Sequence, residues 1–405
     1  MPIDIRPIVE DELADLIRVD NAVFGDGPQD DGVERVRARF EFDRSLACFD
    51  GDRLVGAAGA FSFRLMLPGG PDLPVAAVSY VGVLPTHRRR GLLRSMMQLQ
   101  LEDVRSRGEL LAVLTASESG IYGRFGYGPA TTSCGYTLNR ARTALRRAPD
   151  PGEVRLVDRD EARAVLPAVY ERYWRRQPGE LLRTPGWWED PIGLYPDEPG
   201  AAFMAVRRGP EGDDAYAIYR LEIPWHGGMN DGRLQVGHLV GATPEAEAAM
   251  LAYLLGVDLV ESVTLVRRPF EEPLRWRLTD PRQLRTTYAM DWLWVRPVDA
   301  AGALAARRYR GAGRLVIDLH DDFCPWNPPR LLLEAGPEGA ECRAAPELTP
   351  DLALGPAELG AAYLGGVPLT LLGRAGLVDE LRPGALARAD ALLGADLRPF
   401  CSTEF

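Results

Sequence analysis

At 405 residues the chain is two to three times the length of a common domain, which predicts two or three separate cores. Its 46% apolar and 26% charged content is ordinary for a globular protein, and no run of about 18 apolar residues is present to span a bilayer. Forty-seven basic residues, all arginine, against 58 acidic ones give a net charge of −11, which argues against a general nucleic-acid binder and suits a cationic substrate.

In chain order, Asp11 to Val19 reads as a helix with Leu13, Leu16 and Ile17 on its apolar face. Short strands are expected at Ser45–Phe49, Leu54–Ala60 and Phe61–Leu67, then a strongly apolar strand at Val75–Leu84 that Pro85 ends. After Gly91, the apolar residues Leu92, Leu93, Met96, Met97, Leu101 and Val104 recur every three or four positions, and Gly108 stops the helix. Leu110–Ala116 follows as a buried strand, making a strand, helix, strand crossover of the parallel kind. The polar stretch Thr143–Gly152 reads as a linker. Beyond it come a helix at Asp160–Gln177, strands near Ala201–Val206, Ala215–Leu221 and Arg233–Val240, and a helix from Pro244 to Leu255. The last part offers a helix at Ala301–Tyr309, a Gly313–His320 strand pairing with Leu331–Glu334, and helices at Gly355–Tyr363 and Pro383–Leu393. The fold class is therefore mixed α/β and α+β. Cys48, Cys134, Cys324, Cys342 and Cys401 are odd in number and form no C-x-x-C pair, so neither a disulfide framework nor a zinc site is expected. Met1–Glu10 has neither the cationic start nor the apolar centre of a signal peptide, and the expected compartment is the cytoplasm.

The chemistry concentrates where the apolar strand meets the amphipathic helix, through Arg88, Arg89, Arg90 and Gly91. The first N–H groups of a helix have no partner within it and the helix dipole is positive there, so this turn suits a pyrophosphate. Gly91 would let a ligand approach the backbone, and the arginines would add charge-assisted contacts. A solvated arginine cluster is the alternative for R-R-R-G in isolation, and the flanking strand and helix weigh against it. Downstream, Tyr122 lies in a glycine-flanked turn, I-Y-G-R-F-G-Y, where on the residues alone it is either a packing aromatic or an acid.

This stretch resembles the acyl-CoA-binding motif of the GCN5-related N-acetyltransferases, Q/R-x-x-G-x-G/A, with Leu93 in place of the last glycine or alanine. The longer runs P-T-H-R-R-R-G-L-L-R and A-S-E-S-G-I-Y-G-R-F-G-Y-G-P-A-T-T look like the Eis (enhanced intracellular survival) subfamily. The likeness continues through L-R-T-T-Y, C-P-W-N, Y-L-G and the final Glu404-Phe405. It implies an acetyltransferase domain at 1–142, a second, degenerate acetyltransferase-like domain at 143–295, and a sterol-carrier-like α+β domain at 296–405, assembled as a homohexamer. It also implies acetyl-CoA as co-substrate and no metal. Val81 and Val83 would pair with pantetheine, the backbone of Arg88 to Leu92 with Arg94 would hold the pyrophosphate, and Ser117 would line the thioester channel.

By the same resemblance Tyr122 is the general acid, with Tyr127 as the fallback, and the terminal carboxylate of Phe405 is the general base. A tyrosine of ordinary pKa, about 10, is protonated at neutral pH and can give a proton to the departing thiolate. An α-carboxylate of pKa about 3.5 is a weak base unless partly desolvated, and a frayed terminus is the alternative reading of Phe405. Asp26, Asp291 and Glu404 align with amine-recognising positions, and Tyr80 and Tyr288 with aromatic wall positions; taken singly, each acid is an ordinary solvated carboxylate. Together these imply an N-acetyltransferase acting on polyamine-like small-molecule amines, aminoglycosides among them, with neither nucleic acid nor membrane as partner. Acetylation of protein lysines or small polyamines, and a non-catalytic acyl-CoA or lipid binder, are the rivals. The four histidines read as structural or surface residues.

Overall fold

The computed structural model describes residues 3–25, 33–147, 149–189, 201–336 and 338–405. Its first sheet grows around the expected crossover. Six strands come from the start of the chain: β1 (Asp4–Pro7), β2 (Leu46–Asp50), β3 (Arg53–Met66), β4 (Asp72–Val83), β5 (Leu111–Thr115) and β6 (Gly128–Pro129). A seventh, Leu293–Pro297, returns from far along the chain and lies between β5 and β6. The two strands expected at Leu54–Ala60 and Phe61–Leu67 are one 14-residue strand, β3, since no turn residue interrupts Ala60-Phe61. Helices α1 (Leu13–Phe24), α2 (Val33–Arg37), α3 (Leu92–Ser106) and α4 (Ser119–Tyr122) accompany this sheet. Met96, Met97, Leu101 and Val104 of α3 are fully buried, as their spacing requires. Strands β4 and β5 are parallel, as expected of a crossover through α3.

A second sheet has the order β15-β7-β14-β13-β10-β9-β8 when its strands are numbered β7 (Thr132–Asn139), β8 (Glu153–Val157), β9 (Ala201–Gly209), β10 (Gly212–Glu222), the two-residue hairpin strands β11 (Trp225–His226) and β12 (Met229–Asn230), then β13 (Arg233–Gly241), β14 (Ser262–Pro269) and β15 (Arg285–Asp291). The hairpin strands form a separate ribbon. Helices α5 (Arg159–Trp174), α6 (Gly186–Glu189), α7 (Pro244–Gly256) and α8 (Leu274–Arg277) belong here, and α7 crosses between the parallel strands β13 and β14. The stretch read as a linker is tied down at its centre: the Arg146 amide donates to the Arg277 carbonyl at 2.8 Å and Leu145 bridges Leu278.

The strand at Leu293–Pro297, β16, leads into α9 (Ala300–Ala306), β17 (Gly313–Leu319), β18 (Arg330–Gly336), β19 (Gly339–Ala344), β20 (Leu352–Leu354), α10 (Pro356–Tyr363), α11 (Leu369–Arg374), β21 (Asp379–Glu380) and α12 (Ala385–Leu393). Strands β17 and β18 pair as the expected hairpin. The chain divides into two compact units, one of Met1–Thr131, Asp291–Pro399 and Glu404–Phe405, the other of Thr132–Met290 and Phe400–Thr403. Each sheet thus holds a strand that chain order alone assigns elsewhere: β7 precedes residue 143 yet pairs in the second sheet, and β16 straddles 295/296 yet pairs in the first. Within the first unit the late segment sits almost on the backbone of the early one. A Cβ on Gly128 would lie 1.8 Å from the Ala357 carbonyl oxygen of α10, and one on Gly360 would lie 2.1 Å from that of Val295. The C-P-W-N motif is structural: Asp321 holds the buried Arg296 by two bonds of 2.7 and 2.9 Å, Asn327 donates to the same carboxylate, and the Trp326 indole N–H donates to Val298 O at 2.8 Å.

Candidate active site

The site begins where two strands stop pairing. Strand β4 pairs with β5 only from Ala76 to Val78, then continues to Val83 with β3 as its sole recorded neighbour. Its register with β3 shifts there, so that Tyr80 and Val81 together oppose Ala58. This is a β-bulge, and it turns Tyr80 into the left-handed region at φ +52°. The strand backbone at Val81 and Val83 is thereby left unpaired by β5 at the mouth of the crossover.

The turn that follows is built to present N–H groups. His87 is buried; its Nε2 lies 3.2 Å from the Asp50 carboxylate and its Nδ1 2.8 Å from the Thr86 hydroxyl, which pins the turn to the end of β2. That bond draws the Asp50 pKa below the usual carboxylate range. Arg88 folds back, its Nε donating to the Val83 carbonyl at 3.1 Å. Arg89 and Gly91 both have positive φ, +63° and +81°, and a Cβ on Gly91 would meet nothing within 4 Å, so conformation rather than space calls for glycine. The first bond of α3 runs from Ser95 N–H to Gly91 O at 3.0 Å, which leaves the amides of Leu92, Leu93 and Arg94 without a helical acceptor. Arg88, Arg89, Arg90 and Gly91 are exposed, Leu92 is buried, and the Arg94 guanidinium lies 5.1 Å over the Phe323 ring. Ser117 is exposed in the bend two residues past β5.

Tyr122 closes α4 and is 8% exposed, with its ring edge-on to Tyr127 at 6.1 Å. Burial, with a smaller contribution from the nearby Glu118 carboxylate, pushes its phenol up to about 12 rather than the ordinary value expected from sequence. Tyr127 is wholly buried in the same core cluster as Phe125 and Phe323, and its hydroxyl has no partner among the described residues. It is a packing residue.

An aromatic cluster lies around Tyr80. Tyr80 lies 5.6 Å from Phe40 and 5.8 Å from Phe61 between ring centres, and Phe63, two residues along β3 on the same face, lies 5.8 Å from the ring of Phe405. Nothing in the sequence around Phe40 marks it, whereas the F-x-F alternation at 61 and 63 is a local sign of one apolar strand face. Asp291 accepts the indole N–H of Trp294 at 2.7 Å, and Glu404 is exposed. Tyr80, Tyr122, Asp291, Glu404 and Phe405 share the first unit with the phosphate-type turn. Tyr288 belongs to the second unit, where its hydroxyl accepts the Arg267 amide at 3.0 Å and its ring lies over Gly135, too close for any Cβ there. Asp26 lies outside the described residues.

The second unit repeats the design and then blocks it. Parallel pairing of β13 with β14 ends at Val236, and Gly237 is an extra residue against β10, so the bulge and the parting of strands recur. Here Arg268 of β14 fills the opening: it donates to the Leu239 carbonyl at 3.0 Å, to Glu247 of α7 at 2.8 Å and to Glu272 at 2.7 Å. At the start of α7 the Thr243 hydroxyl takes the Ala246 amide, Pro244 has no N–H, and Glu245 and Glu247 stand in the first turn. An anion at that helix start would meet a capped first turn and two carboxylates.

Residues 4–130 match an acetyltransferase (GNAT) domain family, 179–297 match a second acetyltransferase (GNAT) domain family, and 300–402 match a sterol carrier protein domain. An uncharacterized N-acetyltransferase of Streptomyces coelicolor is 40% identical over 395 residues, 94% of each chain. The N-acetyltransferase Eis of Mycobacterium bovis is 35% identical over 371 residues, 88% of this chain and 87% of that one. The crystal structure of Eis1 from Mycobacterium abscessus superposes with a TM-score of 0.89 at 34% identity, covering 99% of this chain and all of the other. Two tandem acetyltransferase domains followed by a sterol-carrier-type domain therefore make up the chain, which is an N-acetyltransferase and belongs to the Eis family.

Proposed function

We propose that the enzyme takes its acetyl group from acetyl-CoA at the β4–α3 turn and passes it to polyamine-like amines, aminoglycosides included. The observation that carries this reading is the parting of β4 from β5 beside a helix start with three amides lacking helical acceptors and an exposed arginine run. Pantetheine would pair with the freed backbone at Val81 and Val83, the amides and arginines would hold the pyrophosphate, and Ser117 would border the thioester. The amine nitrogen attacks the thioester carbonyl carbon, its proton passes to the Phe405 carboxylate directly or through water, and the C–S bond breaks toward sulfur. Tyr122 supplies the proton that sulfur takes up. Held near 12, it stays protonated across the neutral range, and a thiolate in the same dry surroundings is itself more basic. Tyr80 with the Phe40, Phe61 and Phe63 rings supplies aromatic faces, and Asp291 and Glu404 supply carboxylates, for a cationic acceptor. The reading needs no metal and takes the enzyme to be a cytoplasmic homohexamer, an assembly that light scattering would test.

Thiol release from acetyl-CoA, measured across polyamines, aminoglycosides, arylalkylamines and lysine peptides, tests the acceptor. Turnover confined to lysine peptides would overturn it. In the same assay Tyr122→Phe should lower kcat by about 100-fold or more with acetyl-CoA KM little changed, and an unchanged kcat removes Tyr122 from the mechanism.

A further inference from the structure

The second unit holds a fully buried carboxylate on the stretch that follows α5. Glu180 is 0% exposed. Its Oε2 accepts the Ser402 amide at 2.7 Å, and its Oε1 accepts the Thr403 amide at 3.3 Å and lies 2.9 Å from the Thr403 hydroxyl. Arg183, three residues on and also buried, donates through Nε to the same Thr403 hydroxyl at 3.1 Å and through its second terminal nitrogen to the Ser402 hydroxyl at 3.3 Å. The Tyr170 hydroxyl stands 2.8 Å from that of Thr403, and the Phe400 amide donates to Pro178 O at 2.9 Å.

Taking a carboxylate out of water costs several kcal/mol unless donors fill its lone pairs. Apart from the amide of the adjacent Leu181 at 3.1 Å, the donors recorded for Glu180 all belong to Cys401, Ser402 and Thr403. The ion therefore serves one short peptide. A fold needing only cohesion there could use apolar side chains of the same volume, at no cost in burying charge. What a filled carboxylate adds is register: a one-residue slip of 401–403 would leave both oxygens and several amides unpaired, at about 1–3 kcal/mol each. Glu404 and Phe405 follow this clamp directly, and two residues reach at most about 7 Å.

We propose that Glu180 is a positioning residue, which with Arg183 clamps Phe400–Thr403 in one register and thereby sets where Phe405 places its carboxylate. This rests on the reading of Phe405 as the base. A misplacement of about 1 Å at a reacting group can cost about 100-fold in rate, which is the effect expected here.

Glu180→Gln replaces one acceptor oxygen by a donor facing the Ser402 or Thr403 amide. In a protein ending at Phe405, and with the amine that turns over fastest in the screen above, it should lower kcat about 100-fold while acetyl-CoA KM stays within about twofold, and hydrogen exchange at Ser402 and Thr403 should quicken. Thr403→Val, which removes one hydroxyl, should show the same pattern about tenfold more weakly and serves if the first variant does not fold. Deleting Phe405 should by itself cut turnover to a small residual rate, and adding Glu180→Gln to that deletion should leave that residual rate unchanged. Faster exchange at 402 and 403 with wild-type kcat overturns the positioning role while leaving Phe405 as base, and so does a double variant slower than the deletion alone. Full turnover without Phe405 instead overturns the base, and the positioning role falls with it.

Discussion

The two crossovers of this chain start from one plan and end as opposites. In both, a strand bulges just after its parallel neighbour stops pairing, at Tyr80-Val81 in β4 and at Gly237 in β13, and a helix follows the end of that strand, α3 from Leu92 and α7 from Pro244. In the first, the helix start keeps three amides without helical acceptors and is preceded by three exposed arginines; in the second, a threonine cap, a proline and two glutamates occupy the helix start while Arg268 takes up the opening. The same strand geometry thus carries two different helix starts. The few residues at the turn set the difference, because the N–H groups of a helix start can face an anion or be taken by the protein's own side chains.

The widest gap between the two should appear on charge reversal. Replacing Arg88, Arg89 and Arg90 by Glu should weaken acetyl-CoA binding by about 100-fold or more in calorimetry, since charge-assisted bonds are worth roughly 1.5–3 kcal/mol each. Glu245→Arg, at the matching place in the second unit, should leave the binding stoichiometry at one per chain; a second acetyl-CoA bound there would break the comparison. Glycines give the next effect. A Cβ on Gly241 would lie 2.4 Å from the Glu247 amide nitrogen, backbone that cannot swing aside, whereas one on Gly91 meets nothing within 4 Å. Gly241→Ala should lower stability to denaturant by about 2 kcal/mol or more, and Gly91→Ala by only about 1 kcal/mol of left-handed strain, mainly impairing acetyl-CoA KM. Equal losses would mean that the second turn is not packed as tightly as described. Smallest is Thr243→Ala, which should cost about 1 kcal/mol of cap energy, read as a lower thermal midpoint with kcat per folded enzyme unchanged.

Much of the first unit was legible because its signals are local. The three- and four-residue spacing in α3, the apolar run of β4 and the stop at Pro85 depend on neighbours in sequence, and the structure keeps all three. Tyr122 could be located by its motif, but its high pKa could not, since that follows from what covers the ring. The aromatic cluster was legible only in part: the resemblance placed Tyr80 and Phe405, but Phe40, the Phe61–Phe63 pair and Phe405 are remote from one another in sequence and only strand pairing and the return of the chain gather them. Tyr288 illustrates the converse: a residue aligned by motif with the acceptor wall belongs to the second unit, bonded to Arg267.

By itself, then, the sequence determined the strand, turn and helix of β4 and α3 through contiguous patterns of apolar spacing, glycine and arginine, and its longer motifs carried the resemblance that the family and domain matches bear out. Only the tertiary structure decided that β7 and β16 pair in sheets that chain order does not assign them, that the second crossover is filled by Arg268, and that Glu180 grips residues 401–403. Each of those depends on hydrogen bonds between groups far apart in the chain, for which a linear pattern carries no signal until folding brings donor and acceptor within about 3 Å.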